Sequence, residues 1–186
     1  YCLKIVKNRK RAAREIKLLK MFSKKKYFLD YYKSFIYDGK INIIVNYLPE
    51  GDLFTYINSF DKISLFNIKY IIYKMLIPLY FLNKFKYVHL DIKFENYMYK
   101  TDENGDISLI LIDYESCHKL RYFVNKLDYG VGTKDYVAPE IQKNGIYTST
   151  SDIWSLGVCL LKLLIGNKII FKNYKNYKIL DIKKNL

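Results

Sequence analysis

Cysteine and histidine are scarce in this chain, which has three cysteines and two histidines among its 186 residues. The cysteines, Cys2, Cys117 and Cys159, lie far apart in the sequence, and no C-x-x-C pair occurs. The sequence therefore indicates neither a disulfide framework nor a zinc site. We expect a protein of a reducing compartment, located in the cytoplasm or the nucleus.

Long hydrophobic runs are also missing. The longest, "IWSLGVCLLKLLIG" from Ile153 to Gly166, contains Lys162 and is shorter than the about 18 to 20 residues that cross a bilayer. It predicts a buried core helix, and we expect no membrane segment. The first residue is Tyr1 rather than methionine, so we also expect that the start of the chain is missing.

Acidic residues are few beside the basic ones, 18 against 32, which gives a formal net charge of +14. Such an excess normally favours nucleic acid or a membrane surface as a partner. Here the basic residues are mostly lysine and accompany many Tyr, Ile, Asn and Phe, a profile typical of an AT-rich genome. A solvated lysine coat explains most of the charge, and no nucleic-acid partner is expected. The run "KNRKRAAR", residues 7–14, is the one candidate for a basic patch.

Hydrophobic periodicity predicts the order of the elements. "YCLKIV" favours a strand, and "RAAREIKLLKMF" favours a helix. Two β-rich runs flank Asp38-Gly39, a dipeptide typical of a tight hairpin turn. From Ser64, a candidate N-cap, apolar residues recur every three or four positions and predict one long amphipathic helix. Short apolar runs follow, then a polar stretch from Ser116 to Lys134 that indicates a loop, and finally the apolar helix from Ile153.

Four blocks in the second half of the chain resemble the catalytic domain of eukaryotic protein kinases. "HLDIKFEN" resembles the catalytic loop H-R-D-L-K-x-x-N, and "LIDYE" resembles the strand and turn with D-F-G. "GTKDYVAPE" resembles the segment ending in A-P-E, and "SDIWSLGVCLLKLLIG" resembles the core helix that follows. Any one block could arise by chance, but their common order and spacing make the match specific.

The resemblance implies an α+β, kinase-like fold with two lobes over residues 1–186. Residues 1–48 would form the remnant of a small mixed β/α lobe and the hinge, and residues 49–186 would form a mainly helical lobe. It further implies ATP and Mg²⁺ as cofactors and a protein substrate. The small lobe would lack its first strands and the glycine-rich loop, and the large lobe would be truncated after the core helix.

The catalytic roles follow from the resemblance, residue by residue. Asp91 would be the catalytic base, and Lys93 would neutralise the transferring phosphate. Asn96 and Asp113 would ligate magnesium. Lys93 together with Thr133 in "GT" matches serine/threonine rather than tyrosine kinases, so Thr133 joins the catalytic set.

The nucleotide-binding roles lie upstream. Lys4 would hold the α and β phosphates and pair with Glu15, although an exposed lysine on a strand is the common alternative. In "IIVNYLPEGDLFTYI", which resembles the hinge, Val45 would be the gatekeeper. The backbone from Asn46 to Leu48 would bond the adenine edge, and Asp52 would approach the ribose.

Three further polar groups have structural interpretations. His89 is either a satisfied core histidine or, as in kinases, a residue that packs beneath the metal-binding turn. Asp152 is either a helix cap or, as in kinases, a brace for the backbone of the catalytic loop. Cys117 and His118 are adjacent and suggest a reactive pair, but nothing positions a third group.

Two departures from the kinase pattern affect the site. Leu90 stands where an arginine normally receives an activation-loop phosphate, so we expect activity that does not depend on that switch. Glu115 stands where D-F-G has glycine. We expect it to restrict the backbone, to place an extra carboxylate near the metal site and to weaken magnesium binding, while Tyr114 fills the place of the phenylalanine.

Three functions from different classes fit these observations. The first is ATP-dependent phosphorylation of serine or threonine, and the second is a pseudokinase that serves as a binding or regulatory scaffold. The third, a nucleic-acid-binding module, requires basic and aromatic residues on one face. Within the kinases, "PEGDLFTYI", "NYMYKTDENGDISLILID" and "YTSTSDIWSLGVCLLKLLIG" look most like the calcium/calmodulin-dependent and calcium-dependent group.

Overall fold

The computed structural model describes residues 1–122, 125–127 and 130–165, and the elements below are those of that part of the chain. Five helices are α1 (Arg9–Phe22), α2 (Leu53–Asn58), α3 (Leu65–Lys84), α4 (Pro139–Asn144) and α5 (Ser151–Ile165). Seven strands are β1 (Cys2–Val6), β2 (Tyr31–Tyr37), β3 (Lys40–Val45), β4 (Tyr87–Val88), β5 (Tyr97–Thr101), β6 (Ile107–Leu111) and β7 (His118–Lys119). Short 3₁₀ helices cover Phe94–Asn96 and Tyr114–Ser116.

The first strands form an antiparallel sheet in the order β1-β3-β2. The turn between β2 and β3 places Asp38 at φ 50° and Gly39 at φ 67°. Two successive left-handed residues match the twist of the flanking strands, which is why Asp-Gly favours this turn. The predicted hairpin is confirmed. In the same sheet Lys4 lies opposite Ile43 in the register of β1 and β3.

Helix α1 lies against this sheet. Its N-cap is Asn8, whose side chain accepts a hydrogen bond from the backbone N–H of Arg11 and so satisfies one free donor of the first turn. Leu18, Leu19 and Phe22 are buried on its inner face. The predicted helix is confirmed, and its burial fixes the position of the polar residues on the same element.

The long helix α3 begins after Ser64, whose hydroxyl accepts a hydrogen bond from Asn67, as the sequence predicted. Its buried face holds Ile68, Ile71, Met75, Leu79 and Leu82. By length and composition alone α3 could also cross a membrane. One such helix is a weak indication, because core helices of soluble proteins meet the same criterion, and the buried face of α3 belongs to the main core.

Helix α5 is the predicted core helix, and it begins at Ser151, two residues before the predicted start. It packs on α3, and Leu156, Val158 and Cys159 enter the main core. The stretch predicted as loop from Ser116 to Lys134 contains the short strand β7, which pairs with β4. The residues after 165, including Gly166 of the predicted helix, lie outside the described residues.

The α+β class with a small sheet and a mainly helical remainder is confirmed. One core cluster joins the sheet, α1, α3 and α5, and a second, smaller cluster surrounds Leu90. The second cluster contains Val88, Leu90, Leu127, Val131, Val137, Ala138, Ile141 and Tyr147. The catalytic-loop residues therefore lie between two packed clusters. The division of the chain at residues 48 and 49 stays a prediction.

Candidate active site

Asp152 fixes the backbone of the loop that follows β4. Its two carboxylate oxygens accept hydrogen bonds from the backbone N–H groups of His89 at 2.7 Å and Leu90 at 2.8 Å. Asp152 is buried in the first turn of α5 and is not the residue that caps it. The structure therefore supports the interpretation that Asp152 braces the backbone of the catalytic loop, and not the interpretation that it caps a helix. The brace also holds Leu90 at φ 66°, a left-handed conformation that costs energy for a residue with a side chain.

His89 connects this loop to the segment before Asp113. Its Nδ1 accepts a hydrogen bond from the backbone N–H of Asp91 at 3.3 Å, and its Nε2 lies 2.9 Å from the carbonyl oxygen of Ile112. A carbonyl can only accept, so the neutral ring carries its proton on Nε2. The ring is fully buried, and its contacts match the structural interpretation.

The predicted catalytic residues lie together. Thr133 Oγ1 donates to Asp91 Oδ1 at 2.8 Å, and Lys93 Nζ donates to Thr133 Oγ1 at 2.9 Å. Lys93 Nζ also lies 3.3 Å from Asp91 Oδ2. The amide of Asn96 donates to the backbone carbonyl of Asp91 at 2.7 Å and to its carboxylate at 3.0 Å. Every member of this Asp91 group is thus held by another member.

Gly132 allows the segment that carries Thr133 to come close to the catalytic loop, and the sequence prediction missed this role of the glycine. It has φ 80°, and a Cβ there would lie 2.4 Å from the carbonyl oxygen of Leu90. No side chain fits at that distance, so glycine is required for the segment to bring Thr133 to Asp91. The glycine of the motif "GT" could have indicated this close approach, but the sequence prediction interpreted only the threonine.

A second polar group surrounds Lys4. Its Nζ lies 2.8 Å from Glu15 Oε1, 2.9 Å from Asp113 Oδ1 and 3.1 Å from Glu115 Oε1. Glu15 is buried on the inner face of α1, with a side chain only 3% exposed. The predicted Lys4–Glu15 pair is present, and the alternative of a solvated lysine on a strand is excluded. We call these four residues the Lys4 group.

The pKa values in the Lys4 group are shifted in different directions. Burial favours the neutral form of Lys4, but Glu15 and Asp113 outweigh it and raise the Lys4 pKa above its ordinary value. Burial raises the pKa of Glu15 despite the nearby ammonium. For Asp113 burial is outweighed by Lys4, and its pKa is lowered. In the described part of the chain Glu15 Oε2 is the buried side-chain oxygen without a hydrogen-bond partner.

Asn96 and Asp113 supply oxygen donors of the kind magnesium prefers. The amide nitrogen of Asn96 is engaged with Asp91, which leaves its Oδ1 for a cation. The backbone N–H of Ile112 donates to the carbonyl of Asn96 at 3.0 Å, so the chain segments that carry the two predicted ligands are joined. These donors fit magnesium.

Glu115 behaves differently from the expectation in one respect. It lies in the 3₁₀ helix Tyr114–Ser116, and its φ is not positive, so this turn does not require glycine and the glutamate adopts it without left-handed strain. The expected extra carboxylate is present, because carboxylate oxygens of Glu15, Asp113 and Glu115 lie within 4.8 Å of one another. Tyr114 is fully buried, and its hydroxyl donates to the Leu111 carbonyl.

The hinge residues line a cavity of about 160 Å³ beside β1 and β3. Its wall is mainly apolar and consists of Cys2, Leu29, Val45, Asn46, Tyr47, Leu48, Met98 and Ile112. The predicted residues Val45, Asn46 and Leu48 are thus together. Asp52 caps α2 by accepting from Thr55 at 2.7 Å and pairs through its backbone with Met98, at the edge of the cavity.

Sequence reasoning missed four residues of this wall, Cys2, Leu29, Met98 and Ile112. Met98 lies two residues after the predicted ligand Asn96, and Ile112 lies immediately before the predicted ligand Asp113. Their closeness to the two metal-ligand motifs could have indicated that they lie near the nucleotide. A larger cavity of about 430 Å³ between α3 and α5 contains none of the predicted site residues.

The suggested reactive pair is not supported. Cys117 is fully buried, and burial raises the pKa of its thiol well above the ordinary value, so the nucleophilic thiolate is disfavoured. His118 Nδ1 lies 2.8 Å from the carbonyl oxygen of Ser116. We assign the two residues no catalytic role.

Comparisons with known proteins agree with the geometry. Residues 2–185 match the family model described as protein kinase domain. The chain is 30% identical over 160 residues to the serine/threonine-protein kinase Genghis Khan of Drosophila melanogaster, with 82% of this chain and 10% of that protein covered. It is 34% identical over 136 residues to human serine/threonine-protein kinase MRCK alpha, with 69% and 8% covered.

A shorter relative is serine/threonine-protein kinase 1 of Heliothis zea nuclear polyhedrosis virus, 31% identical over 142 residues. There the match covers 76% of this chain and 50% of the viral protein. The chain therefore spans half or less of the length of these three relatives. None of the three carries a name from the calcium/calmodulin-dependent group.

Proposed function

Because the chain belongs to the protein kinase family, we propose that it catalyses ATP-dependent phosphorylation of serine or threonine in protein substrates. The observation that carries this proposal is the Asp91 group. A carboxylate, an ammonium and a hydroxyl lie within 2.8 to 3.3 Å of one another. Asp91 and Lys93 supply the first two from the loop between β4 and β5, and Thr133 supplies the hydroxyl from the segment after Gly132.

The chain's own residues account for the chemistry of that proposal. Asp91 is placed to orient the substrate hydroxyl and accept its proton, and Thr133 and Asn96 hold the carboxylate in position. Lys93 supplies a positive charge beside Asp91, where the transferring phosphate gains negative charge. Lys4 supplies a second one for the nucleotide phosphates. Magnesium bound by Asn96 and Asp113 would neutralise further phosphate charge.

The 160 Å³ hinge cavity supports a planar, mostly apolar ligand such as adenine. Backbone groups from Asn46 to Leu48 border it, and they can supply hydrogen bonds to the ring edge. Asp52 at its edge is suited to a ribose hydroxyl.

A pseudokinase scaffold is the second candidate, and one observation favours it. Three carboxylates already contact Lys4, the residue that would otherwise bind phosphate. Nucleic-acid binding receives less support, because Arg11 and Arg14 of the basic run face Glu115 rather than forming an open patch.

Two finer statements stay proposals. Membership in the calcium/calmodulin-dependent group rests only on the three segments quoted above, and the relatives give it no support. A cytoplasmic or nuclear location rests on the three free cysteines, two of them buried.

The test combines ligand binding with phosphate transfer. Magnesium-ATP at about a hundred times its Kd should stabilise the folded chain by ~2.7 kcal/mol, measured by thermal unfolding. Asp91→Asn should keep that stabilisation and lose about a hundredfold or more in phosphate transfer to a serine/threonine peptide library. Asp61→Asn, an exposed loop carboxylate, is the matched control and should change neither.

The outcomes separate the two candidates. Stabilisation without phosphate transfer in the unmodified chain would favour the scaffold. No stabilisation, or transfer that is equal in Asp91→Asn, would reject the kinase proposal.

A further inference from the structure

The Lys4 group has more negative than positive charge. An ammonium has three N–H donors, and three carboxylates lie within 3.1 Å of Lys4 Nζ. Two of these contacts, to Glu15 and Asp113, are hydrogen bonds. The third, to Glu115, exists only because this chain has glutamate where the kinase pattern has glycine.

Helix α1 holds Glu115 in this place. Arg14 Nη1 donates to the backbone carbonyl of Glu115 at 3.0 Å. Arg11 Nη1 lies 3.9 Å from Glu115 Oε2, the oxygen that does not face Lys4. The Glu115 side chain is 24% exposed, so it can leave Lys4 for water without disturbing the core.

This arrangement opposes the binding of an anion at Lys4. A phosphate that approaches the ammonium must displace Glu115 and also meets the charges of Glu15 and Asp113. Like charges a few ångströms apart repel strongly when they are partly buried. A divalent cation beside the carboxylates removes that repulsion. The buried Glu15 Oε2, which has no partner, adds to the demand for positive charge.

We propose that Glu115 determines how strongly nucleotide binding depends on a divalent cation. Without a cation its carboxylate competes with nucleotide phosphates for Lys4, and with a cation bound the competition is relieved. Glu115 is thus a specificity-determining residue that selects the cation complex of a nucleoside triphosphate over the free nucleotide. The inference rests on the proposed function, because it takes the nucleotide to bind between the hinge cavity and Lys4.

The test is a series of ATP-binding isotherms, from EDTA to saturating magnesium, for the chain and for Glu115→Gln. The amide keeps the size of the side chain but cannot compete as an anion. We expect ATP affinity in EDTA to rise about tenfold in Glu115→Gln, as for removal of one close charge. At saturating magnesium the two proteins should differ by less than about threefold.

Three controls isolate the charge. Glu115→Asp keeps the carboxylate and should bind ATP as the unmodified chain does. If Glu115 acted only through the size of its side chain, the shorter aspartate would not reproduce that behaviour. Glu103→Gln changes the net charge equally in an exposed turn and should leave both affinities unchanged. Adenosine lacks phosphates and should bind the unmodified chain and Glu115→Gln equally.

The failures are distinguishable. If magnesium-ATP and adenosine both fail to bind the unmodified chain, the proposed function is wrong and the inference falls with it. If they bind, but Glu115→Gln has the same or lower ATP affinity in EDTA, the inference alone is overturned.

Discussion

The two polar groups of this site differ in charge balance. In the Asp91 group one carboxylate faces one ammonium, and a hydroxyl and an amide complete its hydrogen bonds. In the Lys4 group three carboxylates face one ammonium, and a buried oxygen of Glu15 has no partner. The charges of the Asp91 group are therefore balanced without a ligand, whereas the Lys4 group requires additional positive charge.

The difference follows from how the groups are built. The Asp91 group has three members on one loop, braced by Asp152, and a fourth, Thr133, on the segment that Gly132 lets approach that loop. The Lys4 group joins β1, α1 and the turn after β6, and its members Lys4 and Asp113 are 109 positions apart in the sequence. A group assembled from three elements depends on their packing, so a ligand or a cation can shift it more easily.

Removing the brace should have the largest effect on stability. Asp152→Ala leaves two buried N–H groups without an acceptor and should lower the free energy of unfolding by about 2 to 5 kcal/mol. Chemical denaturation measures this loss. Asp52→Ala removes an ordinary helix cap and should cost only ~1 kcal/mol. Equal losses in the two variants would mean that the two hydrogen bonds accepted by Asp152 stabilise the fold no more than one ordinary helix cap does.

Gly132→Ala tests the approach of Thr133 to Asp91 and should cost about 2 to 3 kcal/mol. The new Cβ would meet the Leu90 carbonyl at 2.4 Å, and phosphate transfer should fall as Thr133 moves. Gly105→Ala is the matched control, because Gly105 also has φ 80° but open space around it. It should cost about 1 kcal/mol and leave transfer unchanged. Similar losses would show that the left-handed backbone, and not the close contact, decides the result.

Lys4→Met contrasts the two groups directly. It leaves the buried Glu15 beside two other carboxylates and should cost about 1 to 2 kcal/mol at pH 7. The Glu15 pKa, already raised, should rise further, so the folded state would bind more protons than the unfolded state above the ordinary carboxyl pKa. Stability of the variant should then fall as pH rises from about 4 to 7.

Lys93→Met is the control for that pH dependence. It leaves a single, less buried carboxylate, so its stability should vary little over the same range. Urea denaturation at several pH values gives both curves. A flat curve for Lys4→Met would mean that the charge imbalance of the Lys4 group has little energetic weight.

The smallest expected effect is any gain in rate from phosphorylation in the segment before A-P-E. Leu90 is 4% exposed and packs with Val131 and Val137, where the kinase pattern has a phosphate-binding arginine. Phosphatase treatment should change the rate of phosphate transfer less than about twofold. A large gain in rate on phosphorylation of Thr133 or a nearby loop residue would contradict this.

Much of the fold could be predicted from local sequence. Asp38-Gly39 predicted the hairpin, Ser64 predicted the start of α3, and the four blocks placed the catalytic loop and the core helix. These features depend on residues close together in the sequence. The short strand β7 was missed, because its two residues carry no pattern and pair only with β4.

The candidate site could be predicted in its residue types but not in all of its contacts. The sequence placed an acidic residue at position 115 and predicted an extra carboxylate, but not that it would reach Lys4 and be held by Arg14. It included "GT" but not the need for Gly132. It located the hinge but did not predict that Met98 and Ile112 line the same cavity.

The sequence by itself determined the family, the order of the elements and the set of polar residues available for chemistry. The kinase resemblance predicted the Lys4–Glu15 pair, but only the tertiary structure showed that Asp113 and Glu115 also reach Lys4. It is therefore the tertiary structure that decided that Lys4 faces three carboxylates while Asp91 faces one ammonium. The reason is physical. Hairpin turns and helix starts are set by neighbouring residues, whereas contacts between positions 4, 15, 113 and 115 depend on how the buried faces of α1, the sheet and the turn after β6 pack together.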